Sequence, residues 1–481
     1  MKKAFQGFNS FSKQLFSVAA TLFFSYTVSA QQPGSLDLSF DPGTGTNGQV
    51  NAILIQSDGK MVVGGGFSAY DTTINQNGVT RVNPNGSIDV NFNPSGKGAA
   101  GIVKALGIQS DGKIIVAGNF LMYNDSTRKR IARINADGSL DTTFTSKIGA
   151  NAEISAVAIQ SDGKIIIGGS FTKYDTFSRN YITRLNTDGT VDTTFNIVGA
   201  DGPVKALLIQ PDGKVLMGGA FSIYAGIVSR GIARFDTTGI FDFTFNAGNG
   251  VDGTVSAIAL QANGKIILGG TFVSVNDSLR KNIARINSNG SFDASFNPGL
   301  SVNNSVTSVA VDANGKILAG GLFLMYNTSS NKYLVRINSD GTVDNSFNTA
   351  NGAGSAINAI ALQPDGRVMV GGSFPAYGGV VRGGIARLFG GLVNSLVNNN
   401  YSQSLKIYPN PFVSELTLEI PKVAKSVNVA LYDLSGRAVL NNTYLPNADG
   451  KIILNEDLPQ GIYLLQVVSE EFRYQSKVIK Q

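Results

Sequence analysis

Arginine and aspartate recur in this 481-residue sequence at one fixed separation. An arginine stands eight residues before an aspartate in six places, which are Arg81 and Asp89, Arg133 and Asp141, Arg184 and Asp192, Arg234 and Asp242, Arg285 and Asp293, and Arg336 and Asp344. The carboxylates could form a ring of ligand-binding acids. Alternatively, each aspartate forms a structural ion pair with an arginine on the neighbouring strand. We expect the ion pairs, because the register of a three-residue hairpin loop places Arg133 opposite Asp141.

A second set of residues combines aromatic rings with positive charge. Loops of the chain carry Tyr70, Tyr123, Tyr174, Tyr224, Tyr326 and Tyr377, and close to them Arg128, Arg179, Arg230, Arg280 and Arg382. Tyrosine rings can stack on sugars and guanidinium groups can hold an anionic polymer, so these residues are candidate ligand-binding residues. Alternatively, the tyrosines pack at the rim of the fold and the arginines are only solvated.

The composition limits the chemistry. The sequence has no Cys, His or Trp, so Ser-His-Asp triads and histidine-based metal sites are impossible. Between residues 31 and 390 the only glutamate is Glu153, and the aspartates are expected in turns and ion pairs, so we predict a protein that is not an enzyme and has no cofactor. A calcium site built from Asp, Asn and carbonyl oxygens stays open. The formal charge of +6 falls to +3 if Lys2, Lys3 and Lys13 are removed, and this small excess does not indicate a nucleic-acid partner.

A sequence repeat positions these residues. The string x-[DN]-G-[KR] recurs at steps of 50 to 53 residues, at Asp58, Asp111, Asp162, Asp212, Asn263, Asn314 and Asp365. One unit predicts four strands, which are Val103–Gln109, Lys113–Phe120, Arg130–Asn135 and Ser139–Phe144. Seven such meanders predict an all-β, seven-bladed β-propeller over residues 31–390. A linear β-solenoid is the alternative, but solenoid coils usually lack two tight hairpins per repeat.

The order of the strands assigns the loops to two faces. The short turns between the first and second strands and between the third and fourth share one face. The longer loops between the second and third strands and between repeats share the other, where we expect any ligand to bind.

The ends of the repeat region predict how the ring closes. The seventh unit ends after its third strand, because position 395, eight residues after Arg387, is serine. The stretch GSLDLSF at 34–40 looks like the missing fourth strand. We predict that Leu36–Phe40 pairs with Ile385–Leu388 and that Asp37 faces Arg387 as the seventh ion pair.

The repeated pattern also resembles a known family. Units such as "DGKIIVGGxF" followed by "IARIN-DG-S-L-D-x-x-F" resemble the delta-60 repeat of bacterial secreted proteins, from about Gly34 to Leu388. The fourth unit departs from it most, at Thr238–Phe241. The resemblance supports the propeller and implies no activity.

The N-terminal 30 residues are typical of a signal peptide. Three lysines precede the apolar stretch "LFSVAATLFFSYTV", and Val28-Ser29-Ala30 predicts cleavage before Gln31. The alternative, a transmembrane anchor, needs a longer apolar run. We therefore expect passage through the periplasm and no membrane span after removal of the signal.

Residues 391–403 read as a linker, and residues 404–481 read as a separate β-rich domain, predicted to be a small Ig-like sandwich. Its motifs Tyr408–Phe412, Tyr432–Arg437 and Leu458–Tyr463, followed by a lysine-rich end, resemble the type A C-terminal sorting domain of the type IX secretion system in Bacteroidota. The resemblance implies recognition by that machinery, with Pro409, Asn410, Pro411, Gly436, Gly461 and Tyr463 as the matching signal residues. An ordinary Ig-like adhesion module is the alternative.

Taken together, the sequence predicts a secreted or cell-surface monomer that binds an extracellular glycan or protein. An enzyme acting on an extracellular polymer and a purely structural surface protein are the alternatives. A cluster of unpaired acids in the central channel would favour the enzyme.

Overall fold

The structure is a computed structural model, and it describes residues 32–71, 73–74, 76–94, 96–146, 148–195, 198–349, 351–391, 405–420, 426–433, 438–455, 457–468 and 473–481. The predicted signal peptide and nearly all of the predicted linker lie outside these ranges, so the predicted boundaries there stay predictions. Within the described part of the chain, no helix is long and apolar enough to cross a membrane.

Each of the seven repeats forms an antiparallel sheet with an inner, a middle and an outer strand. The inner strands are Gln49–Ile55, Ala99–Ile108, Ile154–Ile159, Val204–Ile209, Val251–Leu260, Val306–Val311 and Ile357–Leu362. The middle strands are Met61–Gly66, Ile114–Tyr123, Ile165–Gly169, Val215–Gly219, Ile266–Val275, Ile317–Gly321 and Val368–Gly372. The outer strands are Val79–Val82, Ile131–Ile134, Ile182–Leu185, Ile232–Phe235, Ile283–Ile286, Leu334–Ile337 and Ile385–Leu388. We number the sheets as blades 1 to 7 in chain order.

A short hairpin, here called the rim hairpin, joins the middle and outer strands of each blade. In blades 1, 3, 4, 6 and 7 the paired segments are Ala69–Tyr70 and Thr73–Ile74, Lys173–Tyr174 and Phe177–Ser178, Ile223–Tyr224 and Ile227–Val228, Met325–Tyr326 and Ser329–Ser330, and Ala376–Tyr377 and Val380–Val381. In blades 2 and 5 the end of the long middle strand pairs with Ser126–Thr127 and with Ser278–Leu279. The face of the propeller that carries these hairpins is called the hairpin face.

The turn sequences explain the hairpins between inner and middle strands. In blade 2 the Asp111 carboxylate accepts the Lys113 N–H at 3.0 Å, and Gly112 has a φ of 81°. Glycine suits this position because a side chain is strained at positive φ.

The prediction of a fourth strand in each blade is wrong. Ser139–Phe144 makes a single bridge, between Leu140 and Ile134. The ladder stops because the Asp141 carboxylate accepts both the N–H and the hydroxyl of Thr143, which turns the backbone. The chain then leaves for blade 3, where the Thr145 N–H donates to Asp188 O at 2.6 Å.

The segment between repeats therefore runs from one face of the propeller to the other. The prediction that it lies on a single face is wrong. Thr145 contacts Asp188 in the outer turn of blade 3, whereas Gly149 O accepts the N–H of Asp175 in the rim hairpin of the same blade at 2.9 Å.

The ring closes through the N-terminal residues. Leu36 bridges Leu388, and the Asp37 N–H donates to Arg387 O at 2.8 Å. As in the other blades, the pairing is one bridge followed by a turn, because the Asp37 carboxylate accepts the N–H and hydroxyl of Ser39. On the inner side of the ring, Asn358 Nδ2 of blade 7 donates to Val50 O of blade 1 at 3.3 Å.

The Gly-Gly doublets of the middle strands allow blades to approach each other. A Cβ on Gly168 would clash with Val204 of the next blade, and a Cβ on Gly169 would clash with the backbone of Glu153, the residue before the inner strand. The cores accordingly lie between blades, and Phe171 is fully buried in one of them.

The C-terminal residues form two antiparallel sheets. One contains Lys406–Tyr408, Leu416–Glu419 and Lys451–Leu454. The other has the order Ala438–Tyr444, Val427–Tyr432, Gly461–Val468 and Arg473–Lys480. Leucines and valines from both sheets share one buried core. The two sheets are consistent with the predicted sandwich.

Candidate functional site

The recurring arginines and aspartates meet in every blade. In blade 2, Arg133 Nε lies 2.7 Å from Asp141 Oδ2, and the Asp141 N–H donates to Arg133 O at 2.9 Å. The corresponding pairs, at 2.6 to 2.8 Å, are Arg81 with Asp89, Arg184 with Asp192, Arg234 with Asp242, Arg285 with Asp293, Arg336 with Asp344, and Arg387 with Asp37.

Each aspartate also binds a second cation, which the sequence analysis did not predict. The lysine of the x-[DN]-G-[KR] turn reaches the same carboxylate, as Lys113 does for Asp141 at 2.8 Å. The equivalents are Lys60, Lys164, Lys214, Lys265 and Lys316, with Arg367 in blade 7. The repeated Lys or Arg of the turn motif was the available signal, but its partner follows only once the inner and outer strands are placed around the middle one.

The same arginines also connect neighbouring blades. Arg133 Nη1 donates to Thr187 O in the outer turn of blade 3, and Arg387 Nη1 donates to Pro84 O of blade 1 at 2.6 Å. The guanidinium carbon of Arg133 lies 5.1 Å from the ring centroid of Phe144. The carboxylate, lysine, arginine and phenylalanine together form a latch between blades.

The electrostatics of the latch keep its aspartates ionised. Burial alone would raise the pKa of Asp141, but hydrogen bonds from Lys113, Thr143 and Arg133 outweigh it and hold the pKa well below its ordinary value. The same balance lowers the pKa of Asp37 in the closing blade. These carboxylates are fully engaged within the protein, so they do not form an open ring of ligand-binding acids.

The tyrosines of the rim hairpins are inaccessible to a ligand. Tyr70, Tyr123, Tyr174, Tyr224, Tyr326 and Tyr377 are all fully buried. The Tyr123 hydroxyl donates to Gly138 O at 2.8 Å, and four others donate to the equivalent glycine in their own blades. The hypothesis that Tyr123, Tyr174, Tyr224 and Tyr377 stack on sugars is therefore wrong. Burial of an aromatic ring with its hydroxyl hydrogen-bonded anchors the hairpin instead.

Tyr377 differs from the other rim tyrosines. Its hydroxyl is buried and has no hydrogen-bond partner among the described residues. In blade 7 the outer turn is split between the two ends of the propeller, with Gly34 N–H donating to Phe389 O. The glycine equivalent to Gly138 is therefore Gly34, at the other end of the propeller, and the Tyr377 hydroxyl makes no hydrogen bond to it.

The rim arginines occupy the outer edges of the blades. Arg128, Arg179 and Arg280 are half-buried, each with Nη1 donating to the carbonyl of the preceding residue, and Arg382 is buried against Asp41 at 3.0 Å. Arg230 is not equivalent to them, because Ser229 takes their position in blade 4 and Arg230 follows it as an exposed residue. The predicted ring of equivalent basic residues is incomplete for this reason.

The exposed side chains of the rim hairpins are mainly aliphatic. The cross-strand pair Ile223 and Val228 faces outward because it alternates with the buried Tyr224, and Val228 is 69% exposed. Exposed apolar residues at related positions are Leu121, Met122, Phe177, Val273, Leu279, Leu324, Met325, Val380 and Val381. Sequence reasoning concentrated on tyrosine and arginine and missed this set.

Cations border this apolar surface. Lys129, Arg230, Lys281 and Lys332 occupy the same position, six residues after the anchoring tyrosine or its replacement Val275, and all four are exposed. The hairpin face also contains a shallow recess of about 430 Å³, lined among others by Asn47, Phe67, Asn77 and Ile102. Among the described residues, no group of three or more Asp or Glu side chains is placed to hold a metal ion.

The sorting-signal residues lie in the C-terminal sheets, apart from Gly436, which is outside the described residues. Asn410 lies between two cis prolines, Pro409 and Pro411, and its side chain bonds the backbone of Lys477 and Ile479 at 3.0 and 2.9 Å. Gly461 begins a strand in which the Tyr463 hydroxyl donates to Pro459 O at 2.7 Å. The Asn410 contacts thus tie the first motif to the last strand, Arg473–Lys480.

Comparison with protein families gives two matches. The model described as a domain of unknown function (DUF5122) beta-propeller matches residues 56–92, 109–144, 160–195, 210–245, 261–296, 313–347 and 363–390. The model of a secretion system C-terminal sorting domain matches residues 406–481. No curated protein sequence matches the chain.

Solved structures resemble the chain only distantly. YCF48 from Cyanidioschyzon merolae is 13% identical, with 72% of this chain and 96% of that one covered and a TM-score of 0.37. The Bacteroides ovatus xyloglucan PUL GH43B is 12% identical, with 79% and 90% covered and a TM-score of 0.25. Likenesses of this degree carry no argument about function.

Proposed function

The chain belongs to the DUF5122 beta-propeller family and carries a type IX secretion sorting domain, and from this premise we propose that it is an extracellular binding module whose partner is a protein. The partner binds the apolar surface of the rim hairpins, which is bordered by cations, and carries acidic groups that face this border. The observation that carries the proposal is the set of outward-facing aliphatic pairs on hairpins whose tyrosines are buried.

The character of the exposed residues favours a protein over a glycan. Sugars stack on flat aromatic rings, and the tyrosines that could supply them are inside the fold. Val228, Leu279 and Val381 are 69%, 63% and 59% exposed, and clustered aliphatic side chains with a polar border are typical of protein-binding surfaces. Lys129, Lys281 and Lys332 supply a cationic border that suits an acidic partner.

The other face supports a structural role. Its repeated Asp, Lys and Arg side chains are used in the latches between blades. Their uniformity fits a scaffold, whereas the rim hairpins differ in sequence from blade to blade, as variable binding loops do. We propose a protein without catalysis, because the carboxylates that sequence reasoning considered for an active site serve in turns and latches.

The proposal can be tested with the exported full-length protein. A triple variant, Ile223→Ser/Leu279→Ser/Val381→Ser, removes aliphatic surface from three rim hairpins. The control variant, Leu38→Ser/Val90→Ser/Phe243→Ser, removes exposed apolar side chains outside the hairpins. Proteins cross-linked to each variant at the cell surface are quantified by mass spectrometry. We expect partners lost with the rim variant and retained with the control, and equal recovery with both would contradict the proposal.

A further inference from the structure

Each inner strand contains a β-bulge at the same position of the repeat. The bulged residues are Asn51, Lys104, Ser155, Lys205, Ser256, Thr307 and Asn358, here called the channel belt. Every one of them is polar and half-buried. The free edge of an inner strand faces the central channel of a propeller, and bulges often re-aim a side chain near a functional site.

Neighbouring belt residues lie side by side around the channel. Asn358 Nδ2 lies 3.3 Å from Asn51 Oδ1, and Asn51 Nδ2 donates in turn to Val103 O of blade 2 at 3.0 Å. Thr307 donates to Ile357 O of blade 7 at 2.6 Å. The belt side chains therefore point from blade to blade along one circle.

The charges of the belt are confined to one arc. Lys104 in blade 2 and Lys205 in blade 4 lie on either side of blade 3, whose Ser155 hydroxyl donates to Glu153 at 2.9 Å. Lys205 Nζ lies 4.0 Å from Glu153 Oε1, and their side chains are 35% and 27% exposed. Among the described residues Lys104 forms no ion pair. The arc thus has one more cation than anion and is open to solvent.

We propose that this arc is a binding site for a sugar acid, meaning a hydroxylated carboxylate of monosaccharide size. The ligand carboxylate lies between the ammonium groups of Lys104 and Lys205, and its hydroxyls bond Ser155, Glu153 and the neutral belt residues. Two lysines supply charge-assisted hydrogen bonds to a carboxylate, and hydroxyl and amide side chains match sugar hydroxyls. Entry is from the hairpin face, where the recess is lined by Ala99–Ile102, a segment of the same inner strand that carries Lys104.

The site is tested by calorimetric titration of the full chain with glucuronate. Glucose lacks the carboxylate and acetate lacks the hydroxyls, so both should bind at least about tenfold more weakly. Lys104→Met/Lys205→Met should lower glucuronate affinity about tenfold or more, because it removes both cations. The charge-matched control Lys97→Met/Lys406→Met removes two exposed cations that lie outside both the belt and the rim surface, and it should stay within about twofold of wild type.

A third variant distinguishes an effect on the binding site from a loss of folding. Glu153→Gln removes the repulsion between its carboxylate and the ligand while keeping a hydrogen-bonding oxygen, so it should bind glucuronate about threefold more tightly. Glucose binding as tight as glucuronate, an unchanged lysine variant or a weaker Glu153→Gln variant would each overturn the assignment. The belt does not depend on the rim hairpins, so rim variants should retain glucuronate binding even if the proposed protein partner is wrong.

Discussion

Arg387 Nε lies 2.8 Å from Asp37 Oδ2, although the two residues are 350 positions apart in the chain. Both side chains are buried, and Arg387 also reaches Ser39 and blade 1, while Arg367 adds a second cation at 2.9 Å. The pair therefore connects the first residues of the propeller to its last strand and closes the ring.

We predict that Asp37→Asn destabilises the propeller by about 3 kcal/mol, because the buried Arg387 and the partly buried Arg367 lose their counter-charge. Urea unfolding of the exported protein measures the change. Asp365→Asn is the matched control, since Asp365 pairs with the same Arg367 but is exposed, and it should cost less than about 1 kcal/mol. Equal stabilities of the two variants would show that closure does not depend on this pair.

The two kinds of rim tyrosine give a second prediction. Tyr123→Phe should destabilise the protein by about 1 to 2 kcal/mol, because Gly138 O loses its buried donor. Tyr377→Phe should be neutral or stabilising, because its hydroxyl has no partner among the described residues. Both changes remove one oxygen from a fully buried ring, so equal losses in thermal unfolding would contradict the difference between them.

The latch predicts that its arginine contributes more to the stability of the protein than its lysine does. Arg133→Met should cost about 3 kcal/mol, because Arg133 is buried and also bonds blade 3. Lys113→Met should cost about 1 kcal/mol or less, because its side chain is 31% exposed. The free energies of unfolding of the two variants are measured. A larger loss of stability for Lys113→Met than for Arg133→Met would contradict this prediction.

Acid should weaken the latches. The pKa of Asp141 is lower in the folded protein than in the unfolded chain, so the unfolded chain takes up protons first as the pH falls. The stabilisation is complete above about pH 5 and is lost progressively below about pH 4. Between about pH 5 and 8 the latches add no pH dependence, and the chain has no histidine.

Calorimetry at different pH values shows whether acid lowers the stability, as predicted. The melting temperature of the wild-type protein should fall between about pH 5 and pH 2. The melting temperature of the Asp141→Asn variant should fall less steeply, because this variant has one carboxylate fewer to protonate. A wild-type protein that becomes more stable in acid would contradict the latch electrostatics.

The seven-bladed fold could be predicted from sequence because its signals are local and repeated. The turn motif fixes the period, the apolar runs mark inner and middle strands, and the eight-residue separation places Arg133 opposite Asp141. The fourth strand was predicted wrongly because alternation in Ser139–Phe144 resembles a strand, whereas Asp141 bonds Thr143 locally and turns the chain.

The candidate site was harder to predict. Burial of Tyr123 and the lysine partner of Asp141 both depend on how separate strands pack in space. The channel belt could not be predicted from the sequence for another reason. A single bulged residue such as Lys104 leaves no periodic signal in an apolar strand. The outward direction of Val228 follows only from the burial of Tyr224.

The most direct test of the binding proposal is photo-cross-linking on the surface of cells that export the full chain. A photoreactive amino acid replaces Val228 on a rim hairpin or, in the control, the equally exposed Phe243 outside the hairpins. We predict a discrete protein adduct from position 228 that is absent from position 243. An adduct from position 243 alone, or the same yield from both positions, would contradict the assignment of the binding surface to the rim hairpins.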